Sequence, residues 1–131
     1  MTGLARPTIV LTDDHPSALE AARTILQDEF EIVAAVPDGR QALVAASVFH
    51  PSLMVLDISM PGWNGFVTAQ HVADVSPETK ILFLSIYEDG DFVAKARQMG
   101  ASYVLKHYMR GDLLKAARRT LAGELFSPEV A

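Results

Sequence analysis

The chain has no cysteine among its 131 residues. That excludes a disulfide framework and thiolate chemistry. It has no apolar run near the ~18 residues that a membrane-spanning helix needs, so no bilayer-crossing segment is expected. The opening Met1–Pro7 is too short and too polar to read as a secretory leader, and the expected location is the cytoplasm. Positive charge is also scarce. Lysine and arginine number 11 against 16 acids, a formal net charge of −5. A segment of this sign lacks the positive face that a phosphate backbone demands, so it is not expected to bind nucleic acid directly. What remains is half hydrophobic and 21% charged. Those are the proportions of a soluble globular protein, at a length that fits one domain.

Short apolar runs alternate with longer helical patterns. Thr8–Thr12 is rich in β-branched residues and reads as a first strand. Leu19, Ala22, Ile25 and Leu26 then recur at helical spacing behind Pro16, which suits a first helical turn. Glu31–Val36 reads as a second strand and Pro37–Gly39 as a turn. Ala42, Leu43, Ala46 and Phe49 mark one face of a second helix, stopped by His50–Pro51. Leu53–Leu56 is a third strand ending at Asp57. A third helix is expected from about Asn64 to Asp74, with Phe66, Ala69 and Ala73 inward. Ile81–Leu84 is a fourth strand ending at Ser85. Phe92, Val93 and Ala96 mark a fourth helix ended by Gly100 as a left-handed cap. Ala101–Leu105 is a fifth strand before Lys106, and Leu113, Leu114, Ala117 and Leu121 line a last helix with Gly123 beyond it. Strands one, three and four are apolar on both faces, as parallel strands covered on both sides must be. The expected fold is therefore an α/β (βα)₅ domain with a doubly wound parallel sheet.

In such sheets ligands bind at the carboxyl ends of the strands. Asp13 and Asp14 follow strand one, Asp57 ends strand three, Ser85 follows strand four and Lys106 follows strand five. Three carboxylates on one edge repel one another and need a cation. Mg²⁺ fits, because it accepts carboxylates and also binds phosphate. Lys106 adds a second positive charge and Ser85 a hydroxyl donor. An ionised Asp57 is a plausible nucleophile toward phosphorus, and phosphoryl transfer needs little beyond alignment and charge neutralisation.

Four segments carry a resemblance: Leu11–Pro16 (Leu-Thr-Asp-Asp-His-Pro), Asp57–Gly65 (Asp-Ile-Ser-Met-Pro-Gly-Trp-Asn-Gly), Leu84–Ser85 and Tyr103–Lys106 (Tyr-Val-Leu-Lys). In this order, at matching strand ends, they resemble the response-regulator receiver domains of two-component systems. The resemblance covers about residues 7–123. Asp13–Pro16, together with the stretch from Ser102 to the end, is similar to the NarL/FixJ subgroup. The resemblance implies a flavodoxin-like fold with strand order 2-1-3-4-5. It implies Asp57 as phosphoacceptor, with a sensor histidine kinase as donor. Mg²⁺ would be held by Asp14 and Asp57, by the Ser59 carbonyl, and by Asp13 through water. Lys106 and Ser85 would contact the phosphoryl group, and Tyr103 would be the switch aromatic. Ser59 and Tyr87 fall at positions that tune phosphoryl lifetime. Residues 1–123 would be the receiver, a regulatory domain and not an enzyme. Residues 124–131 would start a linker to a C-terminal helix-turn-helix DNA-binding domain absent from this sequence, in keeping with Ser127–Glu129 reading as a helix start. Subgroup members control transcription, and a homodimer is a further expectation.

The implied switch has Ser85 moving toward the phosphoryl group while Tyr103 swings inward, which reshapes the surface of helix four, strand five and helix five. One departure stands out. His107 follows Lys106 where many receivers have proline with a cis bond, and a cis bond before a non-proline costs ~3–4 kcal/mol. A trans bond or a rearranged loop is expected there. Trp63 is either a reporter of the site or a surface residue. The histidines His15, His50, His71 and His107 read as structural or exposed, with His15 bordering the site. Arg110, Lys115, Arg118 and Arg119 read as a solvated basic face. Three rival readings carry their own marks. A flavin binder would want a hydroxyl-rich loop where Asp13 and Asp14 stand. A phosphatase would want an acid at Ser59. A phosphorylation-independent interaction module would lack part of the acidic set.

Overall fold

The computed structural model describes residues 5–128. Ten regular elements alternate along it: β1 (Thr8–Thr12), α1 (Pro16–Leu26), β2 (Glu31–Val36), α2 (Gly39–Phe49), β3 (Leu53–Leu56), α3 (Gly65–Val75), β4 (Lys80–Ser85), α4 (Gly90–Gln98), β5 (Ser102–Leu105) and α5 (Met109–Leu121). The strands form one parallel sheet in the order β2-β1-β3-β4-β5. This is the expected doubly wound fold and strand order.

The alternation of side chains along each strand divides the core in two. Val10, Met54, Phe83 and Tyr103 point to one face, where Ala42 and Ala46 of α2, Phe66 and Val72 of α3 and Val93 of α4 cover them. Ile9, Leu11, Val55, Leu82, Leu84 and Val104 point to the other, against Ala22 and Leu26 of α1 and Leu113, Ala116 and Ala117 of α5. Small residues dominate the inward faces of α2 and α5, which lets those helices lie close on the sheet.

Helix ends follow local chemistry. Asp38 caps α2, its carboxylate accepting the Gln41 N–H at 2.9 Å. Asn64 caps α3 in the same way through Val67, so α3 begins one residue later than the spacing suggests. Gly100 takes φ +74° after α4, the left-handed conformation expected of it.

Two inward expectations fail. Phe49 is 46% exposed, because it is the last residue of α2 and no further turn holds it down. Ala73 is exposed and lines an open groove beside Met99 and Gly100, where α4 has already ended; Val72 is buried in its place. The loop before α5 shows how His107 is accommodated. No cis peptide occurs among the described residues, and Lys106–Tyr108 form a single 3₁₀ turn.

Residues 124–128 are not helical. The expected helix start at Ser127–Glu129 lies partly outside the described residues. The segment instead follows the free edge of β5. The Tyr103 N–H donates to the Phe126 carbonyl at 2.8 Å, and the Phe126 N–H donates to Ser102 Oγ at 3.0 Å. The Phe126 ring packs against the α1/α5 side of the core. A strand edge that would otherwise be open is thus partly covered.

Candidate functional site

The acids stand at the sheet edge because the ladder continues one step past each strand. The Asp57 N–H donates to the Thr12 carbonyl at 2.9 Å, and the Asp13 N–H donates to the Val36 carbonyl at 3.1 Å. The main chain that carries both carboxylates is therefore fixed. After Asp57 the chain loops outward and returns at Gly65, whose N–H donates to the Ile58 carbonyl at 2.8 Å. A Cβ at Gly65 would lie 2.4 Å from the Asp57 carbonyl oxygen and 2.8 Å from Ile58 Cα. Only glycine lets α3 start so close to the end of β3.

Asp13, Asp14 and Asp57 meet, as the strand-end reading requires. Together with His15 they each offer a ligand atom, and these atoms all lie within 4.8 Å of one another. Lys106, at the end of β5, brings Nζ to 2.8 Å from Asp13 Oδ2 and 3.6 Å from Asp57 Oδ1. Three carboxylates thus face one ammonium. Burial of Asp57 pushes its carboxyl up to about 6; neighbouring Asp13 adds to the rise, and Lys106 opposes it. An added cation would relieve that repulsion. Asp14 Oδ1 is buried without a hydrogen-bond partner, with the His15 ring nitrogen 3.1 Å away, so the pocket holds an oxygen that an added cation would satisfy. The donor set is oxygen-rich, and it fits Mg²⁺.

Ser85, the last residue of β4, is fully buried, and its Oγ accepts the Tyr87 N–H at 3.1 Å. Ser59 is exposed on the loop after β3. Tyr103 differs from the expectation of an inward swing, because it is already inside. It is fully buried, and its hydroxyl donates to the Tyr87 carbonyl at 2.7 Å. Burial pushes the Tyr103 phenol above its ordinary range. The aromatic rings of Tyr87, Phe92, Phe66 and Phe83 continue from there as a chain of edge and tilted contacts 4.9–5.8 Å apart.

Trp63 is half-buried beside the site. His71 stacks on it at 4.0 Å, and the Arg40 guanidinium lies 4.5 Å over it. His71 thus has a packing role. On α5, Arg118 pairs with Glu29 and Arg119 lies over Phe126, so part of the basic face is occupied within the chain. His15 borders the site, as expected. The sequence reading missed that its ring nitrogen joins the acids as a fourth donor. Its contiguity with Asp13 and Asp14 was the available signal.

The family model of the response regulator receiver domain matches residues 9–118. The chain belongs to this family. It is 34% identical over 122 residues to the oxygen regulatory protein NreC of Staphylococcus aureus, an alignment covering 90% of this chain and 56% of NreC. The receiver chain therefore spans about half the length of the curated relatives it matches. It superposes on a LuxR-family two-component response regulator from Aurantimonas sp. SI85-9A1 with a TM-score of 0.86 at 28% identity, over 95% of this chain and 90% of that one. The signal receiver domain of the putative response regulator NarL from Mycobacterium tuberculosis gives a TM-score of 0.85 at 28% identity, over 92% and 100%. Likeness to LuxR-family and NarL receivers agrees with the subgroup expected from Asp13–Pro16. Among the described residues no helix is long and apolar enough to cross a membrane.

Proposed function

We propose that this receiver is a phosphorylation-driven switch of a two-component system, with Asp57 taking a phosphoryl group from a sensor histidine kinase in the cytoplasm. The observation that carries the reading is the meeting of Asp13, Asp14, Asp57 and Lys106 at one sheet edge. One Asp57 carboxylate oxygen forms the new O–P bond as the N–P bond of the donor's phosphohistidine breaks. The imidazole leaves with that electron pair and takes a proton from solvent. Asp57 is already ionised at neutral pH, so the step needs no general base. Asp14, Asp57, the Ser59 carbonyl and, through water, Asp13 would hold Mg²⁺, which would supply neutralising charge to the carboxylates and the phosphoryl oxygens. Lys106 supplies charge to the phosphoryl group and Ser85 a hydrogen bond from its hydroxyl, whose turn toward the phosphoryl group takes Oγ away from the Tyr87 N–H that it accepts. That exchange loosens the Tyr87–Tyr103 contact beneath α4 and alters the α4–β5–α5 surface.

A charge-assisted bond contributes ~1.5–3 kcal/mol, against the ~5.5 kcal/mol needed to invert a 1:99 population. Homodimerisation or partner binding completes the shift. In the full protein the output is a C-terminal helix-turn-helix domain acting on transcription; the greater length of the relatives and the likeness to LuxR-family regulators support this. The test is intact-mass analysis after incubation with acetyl phosphate and Mg²⁺. A single alkali-labile phosphate on the wild type and none on Asp57→Ala is the expected result. Equal labelling of both proteins overturns the reading.

A further inference from the structure

We propose that His15 directly ligates a first-row transition ion bound in this pocket, and that its imidazole nitrogen thereby shifts the site's preference from Mg²⁺ toward Mn²⁺ and Co²⁺. The inference rests on the phosphoacceptor reading of Asp13, Asp14 and Asp57 and adds a fourth side chain to it.

The backbone first sets the imidazole in place. His15 precedes Pro16, which disfavours the helical conformation at His15. His15 accordingly takes φ −102°, ψ 113° as the residue before α1, and its side chain makes no capping hydrogen bond. Its N–H donates to Asp13 Oδ1 at 2.9 Å, which pins the residue beside the acid pair. The ring turns toward the acids although 67% of the side chain remains exposed. Its longer contact with Asp13, at 3.3 Å, falls on the oxygen that already accepts the His15 N–H.

Geometry then favours shared coordination. His15 Nδ1 lies 3.1 Å from Asp14 Oδ1 and 3.3 Å from Asp13 Oδ1. Adjacent ligands of an octahedral ion bound at ~2.1 Å are themselves ~3 Å apart. The nitrogen and Asp14 Oδ1 are at that spacing, yet they do not form a hydrogen bond, and Asp14 Oδ1 is left buried and unpartnered. A protonated ring would pair with this oxygen directly, whereas the lone pair of a neutral ring and the carboxylate oxygen are two acceptors at ligand spacing, placed to share a cation. A capping role for the ring is excluded by the missing cap bond, and a packing role by its exposure.

The chemical consequence is selective. Imidazole suits first-row transition ions, whereas Mg²⁺ takes oxygen. Loss of the ring therefore weakens one class of ion and spares the other. The test titrates the intact chain with MgCl₂, MnCl₂ and CoCl₂ by calorimetry, at a pH well above the ordinary imidazole range, for wild type, His15→Ala and His71→Ala. The expected result is a loss on the order of ten-fold for Mn²⁺ and Co²⁺ in His15→Ala, with Mg²⁺ affinity retained. His71→Ala should match wild type. Pulsed electron paramagnetic resonance of the Mn²⁺-loaded protein should show a nitrogen coupling that His15→Ala removes. Equal weakening of all three ions, or a coupling that survives in His15→Ala, overturns the ligand assignment alone. Failure of the wild type to bind any of the three ions overturns the phosphoacceptor reading beneath it.

Discussion

Lys106 is paired more closely with Asp13, at 2.8 Å, than with the candidate phosphoacceptor Asp57, at 3.6 Å. Asp13 thus holds the ammonium at the mouth of the site while leaving it within reach of an incoming anion. Asp57 is correspondingly under-compensated, which is why burial and Asp13 raise its carboxyl to about 6 despite the lysine.

That imbalance has a pH signature in the metal-free protein. The folded value for Asp57 lies above the ordinary value of 3.8. The contribution of this group to stability is therefore whole below that ordinary value and is lost as pH rises through about 6. Asp57→Asn cannot ionise. Urea denaturation should give the two proteins similar stability in acid, with the variant becoming the more stable one as pH rises through about 6. Carbon NMR of the Asp57 carboxyl should give the same midpoint, and Lys106→Met should move it higher. A midpoint at the ordinary carboxylate value refutes the under-compensation.

Tyr103 tests the state of the switch. Its ring is fully buried and its hydroxyl satisfies the Tyr87 carbonyl. Tyr103→Phe should cost about 1 kcal/mol in urea denaturation, the worth of one hydrogen bond. Tyr103→Ala should cost about 3–5 kcal/mol, as truncating a buried aromatic does. An alanine variant within about 0.5 kcal/mol of wild type, as expected of a surface change, would mean that the ring lies outside in solution.

Much of this was legible in the sequence because strand ends are marked twice, by where an apolar run stops and by the acid, hydroxyl or lysine that follows. Asp13, Asp14, Asp57 and Lys106 are marked that way, and the fold supplies only their meeting. Strand order was different: it is set by crossover packing between elements distant in sequence, so spacing alone left it open. The rotamer of Tyr103 was hidden for a related reason. Whether an aromatic at a strand end turns in or out depends on space beneath α4, and no local pattern encodes that space. His15 was legible as a neighbour of the site but not as a donor, because a ligand search by separated spacing passes over a residue contiguous with the acids.

Two glycines make opposite predictions for one substitution. Gly65→Ala would drive a methyl group into the Asp57 carbonyl and Ile58 Cα, both backbone. The start of α3 or the end of β3 must shift, at a cost of about 3 kcal/mol or more, since overpacking costs ~1–3 kcal/mol even where side chains can yield. Phosphate labelling of Asp57 should fall with it. Gly111, in α5, has open space where a methyl group would stand, with no neighbouring atom within 4 Å. Gly111→Ala should therefore stabilise by about 0.5–1 kcal/mol, because it replaces a poor helix former without a clash. Thermal denaturation of both variants checks the pair.

The segment after α5 gives the last prediction. Among the described residues no sixth strand pairs with β5; the Tyr103 amide donates to the Phe126 carbonyl instead, and the Phe126 N–H returns to Ser102 Oγ. Ser102 Oγ is in turn 2.6 Å from Thr120 Oγ1 on α5. The covering segment is thus tied to the switch strand and to the last helix at once. Shortening the chain to end at Gly123 removes the acceptor of the Tyr103 amide and exposes the β5 edge. Hydrogen exchange should show the Tyr103 amide losing protection, while the Val55 amide, in the central strand β3, keeps its own. Phe126→Ala, which retains the backbone acceptor but loses the packed ring, should give an intermediate rate. If the Tyr103 amide exchanges equally fast in all three proteins, the segment does not hold the edge, and movement of β5 cannot be passed to the chain beyond it by this route.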